Sequence, residues 1–227
     1  MDYSGKDNLE VMEEAKNYNT YLLDMLRDCV QDKHHVILDF GAGTGFFAKQ
    51  VKNLFPSKDI IALEPAENLE EYYQDKQVKK VSSLRECSAV DLIYSFNVLE
   101  HIEDDVSILR DLYSVLPMDG KLCLYVPAFP CLYSVMDKKV GHYRRYTKQE
   151  LKSKVEKAGF KVKVCQYKDI VGFWGSMVYK FCGPKDGSIN LKSLMFYDKI
   201  IMPLSIWLDK LTGGKLFGKN LWLVAEK

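Results

Sequence analysis

The chain has 227 residues, 47% of them apolar, which is enough for one α/β domain with a full core. Its net charge of +1 excludes bulk nucleic-acid binding, and no apolar run approaches the roughly 18 residues a membrane span needs. The six cysteines are scattered without a C-x-x-C pair, so no metal framework is expected and the thiols fit a reducing, cytoplasmic setting.

The start, M-D-Y-S-G-K-D, has no apolar leader core, which again suits the cytoplasm. A first helix is predicted from about residue 9 to 30. Val11, Ala15, Tyr18, Leu22, Met25 and Cys29 step by four and three and give it one apolar face. Residues 1–32 then form an N-terminal helical cap, with Tyr18, Asn19 and Tyr21 as candidates for a lid. His34 and His35 precede the first strand and are expected at the surface.

Residues 36–51 organise the rest. Val36, Ile37 and Leu38 form a buried parallel strand ending in Asp39. Glycines follow at alternate positions, Gly41, Gly43 and Gly45, with Ala42 between, and a helix begins at Phe46 or Phe47. Such a loop brings a ligand against bare backbone beside free helix N–H groups. A dinucleotide loop counted from Gly41 would need glycine where Phe46 stands, and a Walker loop would need Gly-Lys-Ser/Thr, which is absent. The stretch resembles motif I of the class I S-adenosylmethionine-dependent methyltransferases. The resemblance implies that Asp39 and the loop hold the amino-acid end of that cofactor.

Ile60 to Leu63 is a second strand ending at Glu64, where the resemblance places the acid that binds the adenosyl ribose. Residues 66–75 read as helical. Val78 to Val81 is a third strand, followed by Ser82 and Ser83 where the family contacts adenine; many relatives carry an acid there. Asp91 to Phe96 is a fourth strand, running into N-V-L-E-H-I, which resembles motif IV. Phe96 and Asn97 are then expected to face the sulfonium end, and His101 is a candidate base or a packing residue. Asp104 or Asp105 caps the next helix, and Lys121 to Val126 is a fifth strand.

The stretch from Ala128 to Tyr146 is irregular. It reads A-F-P-C-L-Y-S, then D-K-K-V-G-H-Y-R-R-Y, then a capping box at Thr147 and Glu150. It resembles a bacterial small-molecule subgroup (types 11 and 12) of the same family, which implies that it borders the acceptor pocket. His142 is a candidate base; Arg144 and Arg145 are anion forks or loop anchors; Tyr146, Tyr133 and Trp174 are assigned to the acceptor. A sixth strand follows at 160–164 and a last one at 221–225. Between them, residues 169–218 form a helical insertion whose apolar residues read as core and lid together; a dimer surface or a membrane contact are the alternatives.

The expected whole is a Rossmann-like, doubly wound α/β sheet of about seven strands in one domain, 1–227, with the last strand antiparallel. The resemblance implies methyl transfer from S-adenosylmethionine, leaving S-adenosylhomocysteine, to an O or N atom of a small acceptor, anionic or lipid-linked. No nucleic acid is expected as partner; peripheral membrane contact and either a monomer or a homodimer remain open. The alternatives are a catalytically silent cofactor-binding partner and an aminopropyl-type transferase on the same fold.

Overall fold

A computed structural model describes residues 5–87, 89–184, 187 and 191–227. The apolar runs pair into a seven-stranded sheet: β1 (Val36–Phe40), β2 (Asp59–Leu63), β3 (Lys79–Val81), β4 (Leu92–Phe96), β5 (Lys121–Pro127), β6 (Lys161–Lys168) and β7 (Asn220–Glu226). The order is β3-β2-β1-β4-β5-β7-β6, with β7 antiparallel to both neighbours. The order reverses between β1 and β4, which opens a crevice at their carboxyl ends.

Strands buried on both faces need helices on both faces. Leu38, Ile93, Leu122 and Leu223 pack on one side with α4 (Asp105–Val115) and α6 (Lys148–Lys157). Ile37, Tyr94, Tyr125 and Trp222 pack on the other with α2 (Lys16–Arg27) and α3 (Phe46–Leu54). Asp104 caps α4 by accepting from Ser107 N–H at 3.0 Å. Thr147 caps α6 from Glu150 N–H at 3.2 Å, but the Glu150 carboxylate turns to Lys154 instead of closing the box. The capping box forms earlier, from Ser134 to Asp137 at the start of α5 (Val135–Lys139).

Four expectations change. The first helix is two, α1 (Lys6–Glu13) and α2, because other side chains satisfy the broken backbone between them. Asn19 Nδ2 donates to the carbonyls of Met12 and Glu13, and Asp198 accepts from Asn17 and Tyr18 N–H. Residues 67–73 form a 3₁₀ helix, shorter than the helical stretch expected over 66–75. His34 is buried, not at the surface: its Nδ1 accepts from Gln31 N–H, and burial together with Lys121 lowers its pKa to about 4. The insertion holds α7 (Ile170–Cys182), α8 (Leu191–Phe196), a π turn (Tyr197–Ile201) and α9 (Met202–Thr212). Among its described large apolar residues, more are exposed than fully buried.

Candidate active site

All three loop glycines have left-handed backbone: φ is +78° at Gly41, +55° at Gly43 and +74° at Gly45. A Cβ at Gly41 would lie 2.5 Å from both Val98 methyls, and one at Gly45 2.8 Å from the Tyr73 ring. Gly41 and Gly45 are therefore fixed by packing within the protein. Gly43 differs. Its nearest neighbour is the tip of Leu9, 3.2 Å from a Cβ position, so the space over the loop is closed by a flexible side chain of α1. Glu13 of the same helix accepts from the Thr44 hydroxyl at 2.6 Å. The element lying over the loop is thus α1. The three lid candidates in α2 are buried: Asn19 caps α1, Tyr21 donates to Asp209 at 2.7 Å, and the Tyr18 hydroxyl accepts from Asn97 Nδ2 at 3.3 Å.

Asp39 is buried beneath the loop, and its Oδ2 has no hydrogen-bond partner. Burial raises its carboxyl to about 7, only partly offset by the nearby Tyr94 hydroxyl. An unpaired buried carboxylate oxygen is costly and invites a cationic ligand. Glu64 accepts from Gly43 N–H at 2.8 Å and from Ala66 N–H at 2.9 Å. Each of its oxygens keeps one lone pair, enough for two further donors such as a diol. Ser82 is exposed, and Ser83 caps the short turn Leu84–Glu86 by accepting from Arg85 N–H. Ala42, with a backbone bond to Leu63, completes the loop.

At the end of β4, Asn97 takes a left-handed backbone (φ +54°), and its N–H donates to the Tyr125 carbonyl. Phe96 meets Phe47, Tyr125 and Trp222 in edge or tilted contacts, making an aromatic wall at the strand ends. An open cleft of about 370 Å³ lies elsewhere, lined by Tyr21, Met25, Lys168 and Asp209 and by no residue of the glycine loop.

The irregular stretch after β5 folds over motif IV. His142 Nδ1 lies 2.8 Å from Asp137, and its Nε2 3.7 Å from Glu100. A carboxylate only accepts, so Nδ1 is the donor to Asp137. Asp137 is also bonded by Arg145 Nε at 2.8 Å and by Ser134 N–H. Burial works against ionisation of Asp137, but the His142, Arg145 and Ser134 bonds outweigh it and hold the carboxyl well below the usual range. Burial drives Glu100 the other way, to about 8, with neither oxygen hydrogen-bonded to a neighbour. His101 packs edge-on to His142 at 4.5 Å, and burial with that neighbour lowers it to about 4. One ligand atom from each of Glu100, His101 and His142 lies within 4.8 Å of the others, a trio that cysteine spacing could not reveal.

Two acceptor assignments need correction. Tyr146 is fully buried and donates to Asp105 and the Leu99 carbonyl, so it is core. Arg144 is occupied by Asp105 at 2.6 Å and the Glu103 carbonyl; it anchors the loop and is no free anion fork. Trp174 is 58% exposed and packs on Phe173 and Phe217. Tyr133 donates to the His142 carbonyl at 2.6 Å and so supports the loop. Arg145 is buried with its Nη1 unpartnered. Sequence reading missed Lys219. Ala128 pairs with Tyr146 on one side and donates to the Lys219 carbonyl on the other, which brings residues 145 and 219 together at the end of β5. The half-buried Lys219 ammonium sits 5.2 Å from the Tyr197 ring, and burial lowers its pKa although Asp169 opposes this. No local pattern marks this lysine; only the return of the last strand places it.

A family model described as a methyltransferase domain matches residues 12–163. The chain is 30% identical over 125 residues to a malonyl-[acyl-carrier protein] O-methyltransferase of Ilyobacter polytropus, covering 48% of this chain and 47% of that protein. It is 31% identical over 110 residues to the Bacillus cereus protein of that name, covering 44% and 41%. The matches thus span less than half of each curated relative. A methyltransferase from Archaeoglobus fulgidus superposes with a TM-score of 0.61 at 14% identity, over 94% of each chain. Phosphoethanolamine N-methyltransferase 2 of Haemonchus contortus, solved with S-adenosylmethionine, gives 0.59 at 18% identity over 93% of this chain and 52% of that one. At these identities the superpositions speak for the fold alone. The site fits the cofactor: the orphan Asp39 oxygen suits an ammonium, Glu64 a diol, and Gly43 close approach of a ligand. The chain belongs to the methyltransferase-domain family.

Proposed function

We propose that the chain methylates a hydroxyl oxygen of a small anionic acceptor, with His142 taking the proton. The observation that carries this reading is the pairing of His142 with Asp137 beside two cations with unused valence, Lys219 and Arg145 Nη1. When bound, S-adenosylmethionine supplies a methyl group on a sulfonium, already a strong electrophile. The protein's part is alignment, exclusion of water and removal of one proton. Asp39 and Glu64 hold the two ends of the cofactor. Phe96 and the rings around it wall off water. Asp137 fixes the His142 tautomer, leaving Nε2 as acceptor for the hydroxyl proton, and stabilises the imidazolium that results. Lys219 and Arg145 take the carboxylate or phosphate of the acceptor.

The test is methyl transfer to a panel of hydroxy acids and to their neutral amides, read as S-adenosylhomocysteine release. Acids should turn over and amides should not. Lys219→Met should reduce kcat/KM for the acids at least tenfold and leave S-adenosylhomocysteine affinity unchanged. Equal use of acids and amides defeats the proposal. The curated relatives named as malonyl-[acyl-carrier protein] O-methyltransferases favour a second reading, in which the accepting oxygen belongs to the carboxylate itself. A carboxylate needs no base, so His142→Gln would then leave turnover within a few-fold of normal.

A further inference from the structure

The polarity of α9 is inverted. Its inward face, with the π turn before it, carries Asp198, Met202, Ser205 and Asp209 at steps of four, three and four, all buried. The outward face of the run from the end of α8 through the π turn and α9 carries Phe196, Ile200, Leu204, Trp207 and Leu211, each between 48% and 71% exposed. Those five step by four, four, three and four, a single stripe about 22 Å long. The neighbouring α7 adds Trp174, Val178 and Phe181, at 58% to 75% exposure. A soluble helix turns its apolar stripe to the core; this one turns it to solvent.

The acids explain how the inversion is held. Asp198 accepts from Asn17 and Tyr18 N–H and caps α2. Asp209 accepts from Asp169 and Ile170 N–H and from the Tyr21 hydroxyl. Asp169 caps α7 and is bonded by Ser205 and Tyr197. All acids of the described insertion therefore point inward. Every exposed charge it presents is a lysine: Lys180, Lys192, Lys199, Lys210 and Lys215. No helix among the described residues is long and apolar enough to cross a membrane.

We propose that this face docks on the surface of a lipid bilayer containing anionic lipids. Large apolar side chains enter the boundary between headgroups and acyl chains, and the lysines meet the lipid charge. A second copy of the chain would set lysine against lysine. A protein partner across this area would need several hydrogen bonds, and the face offers few groups for them besides lysines. The proposal is independent of the acceptor assignment.

Flotation of the full chain with vesicles of phosphatidylcholine, with and without phosphatidylglycerol, tests it. The protein should float with the mixed vesicles, less so at high salt. Trp174 and Trp207 emission should shift to the blue in a Trp222→Phe background. Phe181→Asp with Trp207→Asp should reduce flotation at least tenfold while S-adenosylhomocysteine affinity and Tm stay unchanged; if the pair unfolds, Lys199→Gln with Lys210→Gln should still abolish the preference for phosphatidylglycerol. Failure to float overturns the proposal, as does equal flotation of the variants. So does a homodimer that the same variants dissociate, or capture of an acidic carrier protein, without vesicle binding.

Discussion

Asp39 gives the sharpest pH prediction. Its carboxyl is buried with one oxygen unpaired, and burial raises its pKa from 3.8 to about 7. A cationic ammonium beside it needs the ionised form. Between pH 8 and pH 6 the ionised fraction of a group titrating at 7 falls about tenfold, so affinity for S-adenosylhomocysteine should fall about tenfold over that range. Stability should move the other way. A raised acid pKa means the folded state binds more protons than the unfolded one, so the free protein should gain stability as pH falls from 7 toward 3.8. At pH 8 the full cost of the buried charge is present, on the order of 4 kcal/mol at most for a shift of this size. Asp39→Asn should therefore raise Tm of the free protein at pH 8 and remove the pH dependence of binding. It should also weaken cofactor binding by about 1.5–3 kcal/mol through loss of a charged hydrogen-bond partner. Calorimetric titration at pH 6, 7 and 8 checks the first part and thermal unfolding the second. A binding constant flat across that range, or an Asp39→Asn protein less stable than the parent at pH 8, would refute the reasoning.

His142→Gln should lower turnover of a hydroxyl acceptor by about 10²–10⁴-fold without changing cofactor affinity, measured by single-turnover kinetics alongside calorimetry. Gly43→Val should abolish cofactor binding and also lower Tm, because a β-branched residue is strained in the left-handed backbone there (φ +55°) even though its added atoms meet only the tip of Leu9. Gly45→Ala should lower Tm, because its Cβ meets the Tyr73 ring at 2.8 Å in a left-handed backbone. Arg144→Met should cost about 1–3 kcal/mol in urea unfolding by stripping Asp105 of a partner, and should leave the KM for an anionic acceptor within twofold.

The β-strands and the glycine loop were legible because their signals are local. A buried parallel strand reads as an apolar run, and a left-handed turn reads as glycine. The break between α1 and α2 was not, because what compensates it lies 180 residues away: Asp198 takes the N–H groups of Tyr18 and Asn17, which a continuous helix would have bonded to carbonyls four residues earlier. The stretch from 128 to 146 reads as irregular in the sequence, but its side chains cannot be sorted by type. Adjacent arginines face opposite sides of the loop because Ala128 and Tyr146 pair there in extended backbone. Arg144 reaches Asp105 and Arg145 reaches Asp137. Lys219 was invisible for the same reason as His34: in both, only tertiary return of the chain decides burial.

The insertion shows the limit of periodicity as a guide. Helical spacing of apolar residues tells which residues share a face, not which way that face points. In α9 the tie-breaker is the second set, Asp198, Ser205 and Asp209, which are equally periodic and have buried donors waiting for them. Those donors belong to α2, to the start of α7 and to Tyr21, so the insertion is fastened to the helix that carries Tyr18, the partner of Asn97. The same fastening reaches the proposed anion site: Asp169 holds the Tyr197 hydroxyl, and the Lys219 ammonium lies over that ring. Asp198→Ala isolates this link. It leaves the N–H groups of Asn17 and Tyr18 without their acceptor, a loss of about 3 kcal/mol, which for a chain of this size lowers Tm by roughly 6–12 °C. If the insertion positions the acceptor side through α2, acceptor KM should rise while S-adenosylhomocysteine affinity holds. A fall in Tm with both constants unchanged would mean that the insertion is tied to the domain for docking alone.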